Sequence, residues 1–289
     1  MTPLEGRTAL VTGATGALGA AIAHAGAHAG ARLLVSGRQP DALAALARTL
    51  STQHRADVVA APCDLSSGDE VRKLADAAHA RFGGLDILVN AAAVLGPIGP
   101  SWDNDPTEWD RTVHITLCAA VQLCQRCLPL MPLAGGRGKI INISGGGATS
   151  PRPGFSAYAA AKTALVRFSE TLAAELGERP IDVNCVAPGF VKSAMTRAVI
   201  EAGPARAGRD EYEKAVATAD AATDDAPRAA ALCVFLASAA GDGITGRLIS
   251  AHWDPWALLG EHRADLQGTD VYTLRRILPR DRGFEGDPS

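Results

Sequence analysis

A phenol and an ammonium group lie four residues apart in the stretch Tyr158-Ala159-Ala160-Ala161-Lys162. Residues at positions i and i+4 are neighbours on a helix surface, so Lys162 can lie beside Tyr158. A tyrosine with an ordinary pKa of about 10 works as an acid–base group at neutral pH only where a nearby cation stabilises the phenolate. The pair therefore predicts proton transfer by Tyr158 with Lys162 as its activator, although ordinary surface pairs share the spacing.

The chain that must position this pair has 289 residues, 47% apolar side chains and a formal net charge of −3. α/β domains of about 200–250 residues are routinely single domains, and a chain of this length can bury one large core. The charge excludes the strongly basic surface that non-specific nucleic-acid binding needs. Because no stretch approaches about 18 unbroken apolar residues and no signal-type run follows Glu5 and Arg7, we predict a cytoplasmic protein without a membrane or nucleic-acid partner.

Six cysteines are scattered through apolar stretches, which predicts buried free thiols in a reducing compartment. They are Cys63, Cys118, Cys124, Cys127, Cys185 and Cys233. Cys124 and Cys127 form a CxxC, but this motif lies inside a helical pattern and has no second Cys or His pair at zinc spacing. We therefore predict no metal site.

A glycine-rich turn follows a short apolar run at residues 8–12 and precedes an Ala-rich segment that continues to Ala29. A strand, a glycine turn and a helix N-terminus form a cradle where backbone N–H groups approach a pyrophosphate and the helix dipole favours its charge. A tight turn with no ligand is the alternative. We expect the cradle to consist of Gly13, Thr15, Gly16, Leu18 and Gly19.

The second predicted strand ends at Ser36, and Arg38 follows it. An NAD site usually carries an acidic side chain here for the ribose 2′-hydroxyl, whereas an arginine suits a 2′-phosphate. Ser36 and Arg38 therefore favour NADP, with NAD as the alternative.

Two more predicted strands end at the same edge of the sheet. Asp64 and Leu65 follow the third strand, and Asp64 either accepts a hydrogen bond from an adenine amine or caps the helix that begins near Ser67. The fourth strand runs into Asn90-Ala91-Ala92-Ala93, where small side chains let a flat cofactor ring pass close to the backbone. Successive βα units require right-handed crossovers, so we predict an α/β fold, a doubly wound parallel sheet of about seven strands.

Several of these features occur together in the order and at the spacing of a known family. They are the glycine turn, Asp64, Asn90-Ala91-Ala92-Ala93, Tyr158 with Lys162, and Pro188-Gly189. On these residues the chain resembles the short-chain dehydrogenase/reductase family over about residues 5–251. The resemblance implies a Rossmann-type fold, a nicotinamide cofactor and hydride transfer at a carbon that bears oxygen. It also implies that Lys162 holds the nicotinamide ribose, and that Pro188, Gly189 and Val191 shape the nicotinamide pocket.

The chain departs from the family's pattern at three places. The second glycine of the turn is Gly16, whereas the common pattern has it at the position of Ala17. Thr116 stands where the family usually presents an asparagine that anchors a proton-relay water, and a hydroxyl cannot offer the two donors of an amide. Gly145 stands where the family has its catalytic serine, thirteen residues before the tyrosine.

Ser144 precedes Gly145 by one residue. A one-residue shift on a strand turns a side chain to the opposite face, so Ser144 reaches the substrate only if the run Gly145-Gly146-Gly147 bulges. We predict that Ser144 polarises the carbonyl. The Gly145 N–H, Thr149 and Ser156 are the alternative donors.

Residues 192–225, the lid, are rich in Ala, Gly and charged residues, with a breaker at Gly203-Pro204 and a modest helix predicted at residues 210–219. Such a segment suits a mobile cover over the substrate and would set specificity. Its cations suggest a hydrophilic or anionic substrate, although solvated side chains are the preferred interpretation. They include Lys192, Arg197, Arg206 and Arg209.

A C-terminal extension, residues 252–289, is predicted beyond a single catalytic domain of residues 1–251. It opens with His252 and Trp253, just past the carboxyl end of a strand, where ligands bind in this architecture. The two side chains suit a sugar or cyclitol ring, with an anchor for the tail as the alternative. The charged remainder could wrap a neighbouring subunit. In the family, the helix that carries the tyrosine commonly packs against its copy, which implies a homodimer or homotetramer.

Two hypotheses for the function follow. In the first, the protein is an NADP-preferring oxidoreductase that interconverts a secondary alcohol and a ketone on a polar small molecule, with Tyr158 as general acid/base. An epimerase that keeps its cofactor and passes through a transient keto intermediate is a variant of it. In the second, motivated by Gly145 and Thr116, the protein is a catalytically weak regulatory protein that binds the cofactor.

Overall fold

The computed structural model describes residues 2–132 and 136–283. Its seven strands are β1 Thr8–Val11, β2 Arg32–Gly37, β3 Val58–Pro62, β4 Ile87–Asn90, β5 Gly138–Ile143, β6 Ile181–Ala187 and β7 Arg247–Ser250. All pair in parallel in one sheet, in the order β3-β2-β1-β4-β5-β6-β7. The predicted doubly wound sheet is confirmed, and the order reverses between β1 and β4, where ligand crevices open at the carboxyl ends of the strands.

Helices cover both faces of this sheet. They are α1 Ala17–His28, α2 Pro40–His54, α3 Gly68–Phe82, α4 Pro106–Val113, α5 Ala119–Cys127, α6 Ser156–Leu176, α7 Ala194–Ala207, α8 Arg209–Asp220, α9 Ala226–Ala237 and α10 Arg263–Leu266. Strand side chains alternate between the faces. Ala9 and Val11 of β1 therefore pack in the core beneath α1 and α9, and Leu10 packs in the core beneath α3 and α5.

The helical run Pro106–Leu130 is 25 residues long, and an 18-residue window of it has a mean hydropathy of 1.2, which would allow it to cross a membrane by length and composition alone. In the fold, Ile115, Ala119 and Leu123 of this run are buried in the core that α3 shares. Core packing of these side chains accounts for part of the apolar composition of the run.

The C-terminal extension packs on its own chain. The Leu248 N–H of the edge strand β7 donates to Tyr272 O at 2.7 Å, and Arg247 donates to three carbonyls of the tail, those of Leu266, Thr269 and Val271. Further along, Leu274 N donates to Glu170 Oε1 of α6 at 2.6 Å. An edge strand leaves backbone groups unpaired, and the tail satisfies them here. The extension thus packs on its own subunit at these points, and its wrap around a neighbour stays a prediction; residues 284–289 lie outside the described residues.

The lid contains two helices, α7 and α8, where the sequence predicted one. The predicted breaker is confirmed, because Gly203 has a φ of +72° and kinks α7. Val199 and Ala215 of the lid are buried in one apolar cluster with Phe155 and Tyr158. The lid therefore packs directly on the helix that carries the predicted acid–base pair.

Candidate active site

A cavity of about 1230 Å³ lies at the carboxyl ends of the strands. The glycine turn and the end of β2 line one part of it, and α7 and α8 line another. Tyr158 and Lys162 lie in its wall together with Ser144 and Gly145. Ligand sites usually measure about 300–1000 Å³, so this cavity has room for a dinucleotide and a small substrate.

The glycines of the turn serve two different purposes. A Cβ on Gly13, whose φ is +65°, would lie 2.8 Å from Ala92 Cα, and a Cβ on Gly19 would overlap the Gly13 carbonyl. At Gly16 a Cβ would meet only the Gly13 carbonyl oxygen, at 3.3 Å, and this residue lines the cavity. Chain packing therefore requires Gly13 and Gly19, whereas Gly16 leaves room in front of the backbone.

Helix α1 begins at Ala17, and its N-cap, Gly16, makes no side-chain cap. The first N–H groups of a helix have no partner within the helix and carry partial positive charge, so they suit a phosphate. Thr15 and Leu18 line the same end of the cavity. This cradle fits the pyrophosphate of a nicotinamide dinucleotide.

The sequence analysis missed Thr12, which joins the glycine turn to the segment after β4. Its Oγ1 accepts hydrogen bonds from Ala91 N at 3.1 Å and from Ala92 N at 3.2 Å. A threonine at a strand end gives only a β-forming signal, and its partners lie about eighty residues away in the sequence, so no local pattern reveals the contact.

The side chain of Asn90 does not line the cavity. It is 3% exposed, and its Nδ2 donates to Asn142 Oδ1 at 2.8 Å. The amide thus joins β4 to β5 inside the sheet, and the contact of Asn90 with the cofactor stays a prediction. Ala91 and Ala92, which follow it, do line the cavity.

At the nucleotide end of the cavity, Ser36 is buried and Arg38 is exposed, and both line it with Asp64 and Leu65. Asp64 Oδ1 accepts hydrogen bonds from Ser66 N at 2.9 Å and Ser66 Oγ at 2.8 Å. These bonds hold the pKa of Asp64 below its ordinary value, and the charge of Arg38 adds to the effect.

The N-cap of α3 is Ser67, whose Oγ accepts from Glu70 N at 3.3 Å. The capping role considered for Asp64 therefore belongs to Ser67. Asp64 instead braces the turn that precedes the helix.

Tyr158 and Lys162 are both buried on α6, at 7% and 1% exposure. Lys162 Nζ donates to Ile143 O at 2.5 Å and lies 5.6 Å from the centroid of the Tyr158 ring. Burial lowers the pKa of Lys162 to about 8. Burial also raises the pKa of Tyr158, and the charge that opposes this effect is that of Arg152. Desolvation therefore dominates the pKa of Tyr158 in this structure, and its activation by Lys162 stays a prediction.

Gly145 lies against the Tyr158 hydroxyl. A Cβ on Gly145 would overlap Oη and lie 3.1 Å from Cζ of that tyrosine. The phenol thus occupies the space that a side chain at position 145 would need.

Ser144 supplies a buried hydroxyl beside Gly145. Its N–H donates to Val186 O at 2.8 Å, which extends the pairing of β5 with β6. Its Oγ, in a residue 1% exposed, has no hydrogen-bond partner among the described residues. The following glycines form a turn in which Ala148 N donates to Gly145 O at 3.2 Å. Buried hydroxyls are nearly always paired, so a ligand in the cavity would give Ser144 Oγ its missing partner.

The two side-chain alternatives to Ser144 are less well placed. Ser156 Oγ accepts a hydrogen bond from Trp109 Nε1 at 3.1 Å. Thr149 is exposed and does not line the cavity, although its neighbour Ser150 does.

Thr116 lies in a π-helical turn, His114–Cys118, between α4 and α5. Its Oγ1 accepts from Val94 N and donates to Val94 O, each at 3.3 Å. The single O–H of the side chain is therefore committed to the loop after β4, and only a lone pair remains for a relay water.

Pro188, Gly189 and Val191 line the cavity as expected for a nicotinamide pocket. The loop is held by Asp225, whose Oδ2 accepts from Phe190 N at 2.7 Å and bonds His252 Nδ1 at 2.8 Å. The sequence analysis missed Asp225, since nothing near it in the chain marks a partner 35 residues away.

His252 and Trp253 do not line the cavity, and Trp253 is 74% exposed. His252 supports the loop through Asp225, and its contact with a sugar or cyclitol ring stays a prediction. The tail is anchored by Trp256 instead, which packs on Phe235 and whose Nε1 donates to Ala251 O at 3.3 Å.

The sequence analysis also missed Arg152, in the loop before α6. Its Nε donates to Glu211 Oε2 of α8 at 2.8 Å, and its guanidinium lies 4.2 Å above the Phe155 ring. Burial by itself would raise the pKa of Glu211, but Arg152 and Lys214 hold it below its ordinary value. A charged pair thus links the lid to the loop beside Tyr158.

The six cysteines are free, and all except Cys118 are buried, as predicted. In the described ranges, no group of three or more His, Cys, Asp or Glu side chains could hold a metal ion. The burial of Cys127 raises its pKa to about 12.

The chain matches the family model for short chain dehydrogenases over residues 7–203. It is 37% identical over 195 residues to the human dehydrogenase/reductase SDR family member 4, covering 68% of this chain and 69% of that protein. It is also 37% identical to D-threitol dehydrogenase of Mycolicibacterium smegmatis, over 84% of this chain and 90% of that one. A short chain dehydrogenase of Burkholderia cenocepacia, solved in complex with NADP, superimposes with a TM-score of 0.73 at 29% identity, covering 86% of this chain and 97% of that one.

Proposed function

Because this chain belongs to the short-chain dehydrogenase/reductase family and is an NAD(P)-dependent oxidoreductase, we propose that it uses NADP to interconvert a secondary alcohol and a ketone on a polar small molecule. The observation that carries the proposal is that the glycine cradle and the buried pair Tyr158 and Lys162 line one cavity. A relative that acts on the polyol D-threitol supports a polar substrate.

Residues of both ends of the cavity would hold the cofactor. The turn Gly13–Gly19 and the α1 N-terminus suit its pyrophosphate, Arg38 suits a 2′-phosphate, and Lys162 suits the nicotinamide ribose. The NADP complex of the Burkholderia relative supports the preference for NADP. When bound, the cofactor supplies or accepts the hydride.

Tyr158 holds the proton that the substrate oxygen gains on reduction or loses on oxidation. Burial raises its pKa, so the hydroxyl carries its proton at neutral pH, and proton transfer requires the nearby charges of Arg152 and Lys162 to stabilise the phenolate. Ser144 Oγ donates a hydrogen bond to the same oxygen. Deleting such a donor from an enzyme costs about 2.7–4 kcal/mol of transition-state stabilisation.

Steady-state assays of NADPH and NADH consumption test this function on a panel of polyols, hydroxy acids and the corresponding ketones that includes D-threitol. We expect net oxidation or reduction of a polar substrate with NADP(H) preferred over NAD(H). Substrate conversion without net change in NADPH absorbance would instead identify the epimerase alternative. Tight NADPH binding with no conversion would identify the regulatory alternative.

We further propose that the protein is a cytoplasmic homodimer or homotetramer that pairs through α6. Ala160 and Thr163 are exposed on this helix. The tail occupies another part of its surface, through Glu170. Light scattering coupled to size exclusion measures the number of subunits; a monomer at all concentrations would contradict the proposal.

A further inference from the structure

The lid part of the cavity carries more positive than negative charge. Its wall in the described residues includes four cations and one carboxylate: Arg152, Lys192, Arg197, Lys214 and Glu211. The chain as a whole carries a formal net charge of −3, so this excess is local. A concave surface lined by charges of one sign concentrates ligands of the opposite sign.

Three of these cations are poorly placed to fix a ligand. Lys192 Nζ donates to Ala221 O, Lys214 Nζ pairs with Glu211 Oε1 at 3.4 Å, and Arg197 is exposed. A cation that is exposed, or that already has a partner, makes the electrostatic potential of the cavity more positive but does not fix the position of a bound ligand.

Arg152 differs because its guanidinium is already held in one orientation. Glu211 binds its Nε, the Phe155 ring lies beneath its plane, and its side chain is only 19% exposed. No partner for either terminal amino group is found in the described part of the chain. Two such groups in a fixed plane match the two oxygens of a carboxylate.

This guanidinium also lies close to the reacting centre. Its Cζ is 5.7 Å from the centroid of the Tyr158 ring, and a Cβ on Gly146 would lie 3.5 Å from Nη1. Its charge acts on Tyr158 and opposes the rise of the tyrosine pKa that burial causes. An anion bound here would therefore lie near the carbon whose oxygen faces Tyr158.

We propose that Arg152 binds a carboxylate of the substrate and so makes the enzyme selective for hydroxy acids and oxo acids over neutral alcohols and ketones of the same skeleton. The inference rests on the proposed function and names its substrate class. Arg152 contacts the substrate, and Glu211 is a positioning residue that orients Arg152. The carboxylate itself is unchanged by the reaction.

Calorimetric titration of the NADP-loaded protein with matched pairs tests the proposal. The pairs are D-gluconate with D-glucitol, D-threonate with D-threitol, and acetoacetate with its methyl ester. We expect each acid that fits the cavity to bind about tenfold or more tightly than its neutral partner, since a hydrogen bond to a charged group contributes about that much.

Variants separate Arg152 from the general charge of the lid. Arg152→Gln should remove the preference for the acid, and Arg152→Lys should keep part of it. The control Arg209→Gln removes a lid cation that is exposed and does not line the cavity, and should leave the preference intact. Glu211→Gln should raise KM for the acid with little change in kcat, because it frees the guanidinium to move.

NADPH affinity measured first in every variant reports folding and separates this inference from the proposed function. If the wild-type protein does not bind NADPH, or if its turnover does not depend on Tyr158, the proposed function is overturned. Normal NADPH binding with equal affinity for acid and neutral partner, or with no binding of any of the acids, overturns the assignment of Arg152.

Discussion

At the scale of residues, the region before the tyrosine is the most unusual part of the site. The family resemblance implies a catalytic serine thirteen residues before the tyrosine, whereas here Gly145 has that position and Ser144 carries the hydroxyl. Ser144 Oγ is buried and unpaired among the described residues, and Tyr158 occupies the space that a side chain at position 145 would need. Substitutions at positions 144 and 145 separate the role of the Ser144 hydroxyl from that of the space between Gly145 and Tyr158.

Ser144→Ala should lower kcat about 10²- to 10³-fold, because it removes the hydrogen bond that polarises the substrate oxygen. It should leave the free energy of unfolding unchanged or raise it, since a buried hydroxyl without a partner is costly to the folded state. Steady-state kinetics and urea unfolding measure the two effects. Ser156→Ala, which removes an acceptor already bound by Trp109, is the matched control. Unchanged kcat in Ser144→Ala would exclude the role.

Gly145→Ser should lower the free energy of unfolding by about 1–3 kcal/mol, the usual effect of overpacking. The added Cβ would overlap Tyr158 Oη, so the ring must move and kcat/KM should fall. Gly145→Ala should behave in the same way, because the Cβ and not the hydroxyl causes the overlap. An increase of kcat/KM in Gly145→Ser alone would contradict this account and place the polarising hydroxyl at position 145.

The burial of Lys162 makes the stability of the fold depend on pH, and it determines the direction of that dependence. Its pKa is about 8 in the folded protein and 10.5 ordinarily. Between these values the unfolded chain binds more protons than the folded one, so rising pH stabilises the fold, by up to about 3 kcal/mol across the interval. Urea unfolding of the wild-type protein and of Lys162→Met over this pH range measures it. The free energy of unfolding of the wild-type protein should rise with pH relative to that of Lys162→Met. If the two free energies change in parallel with pH, the depressed pKa of Lys162 is contradicted.

At the scale of elements, the C-terminal extension protects the edge of the sheet. Arg247 of β7 binds carbonyls of the tail from within the strand, at 2.9 Å from Thr269 O and 2.6 Å from Val271 O. The tail backbone then pairs with Leu248. An edge strand left open is a template for association with other chains.

Arg247→Gln should therefore lower the free energy of unfolding by about 2 kcal/mol or more, because it removes charged hydrogen bonds to the tail. It should also make the tail more sensitive to limited proteolysis, with NADPH affinity unchanged. Arg276→Gln removes an exposed arginine of the same tail and serves as the control. Equal proteolysis of both variants would show that Arg247 does not hold the tail.

At the scale of the whole molecule, local patterns predicted the sheet well. The predicted sheet of about seven strands has seven, and the breaker at Gly203-Pro204 became the kink of α7. These features depend on residues within a few positions of one another. The glycine turn was equally readable, because a strand, glycines and a helix follow directly along the chain.

The features that the sequence did not predict join distant segments. Arg152 meets Glu211 across 59 residues, and His252 meets Asp225 across 27. The inward turn of Asn90 toward Asn142 and the docking of Leu274 on α6 depend on the assembled sheet and its neighbours. No periodicity reports such contacts, so Arg152 and Asp225 were missed and the side-chain partners of His252 and Asn90 were not predicted.

The claim that Tyr158 moves the proton is tested most directly by kinetics and NADPH affinity of Tyr158→Phe, with Tyr212→Phe as the control on a tyrosine that does not line the cavity. General acid–base catalysis contributes about 10²- to 10⁴-fold, so we predict a loss of kcat of this size in Tyr158→Phe with NADPH affinity retained. The control should match the wild-type protein. Full turnover by Tyr158→Phe with the cofactor bound would contradict the account.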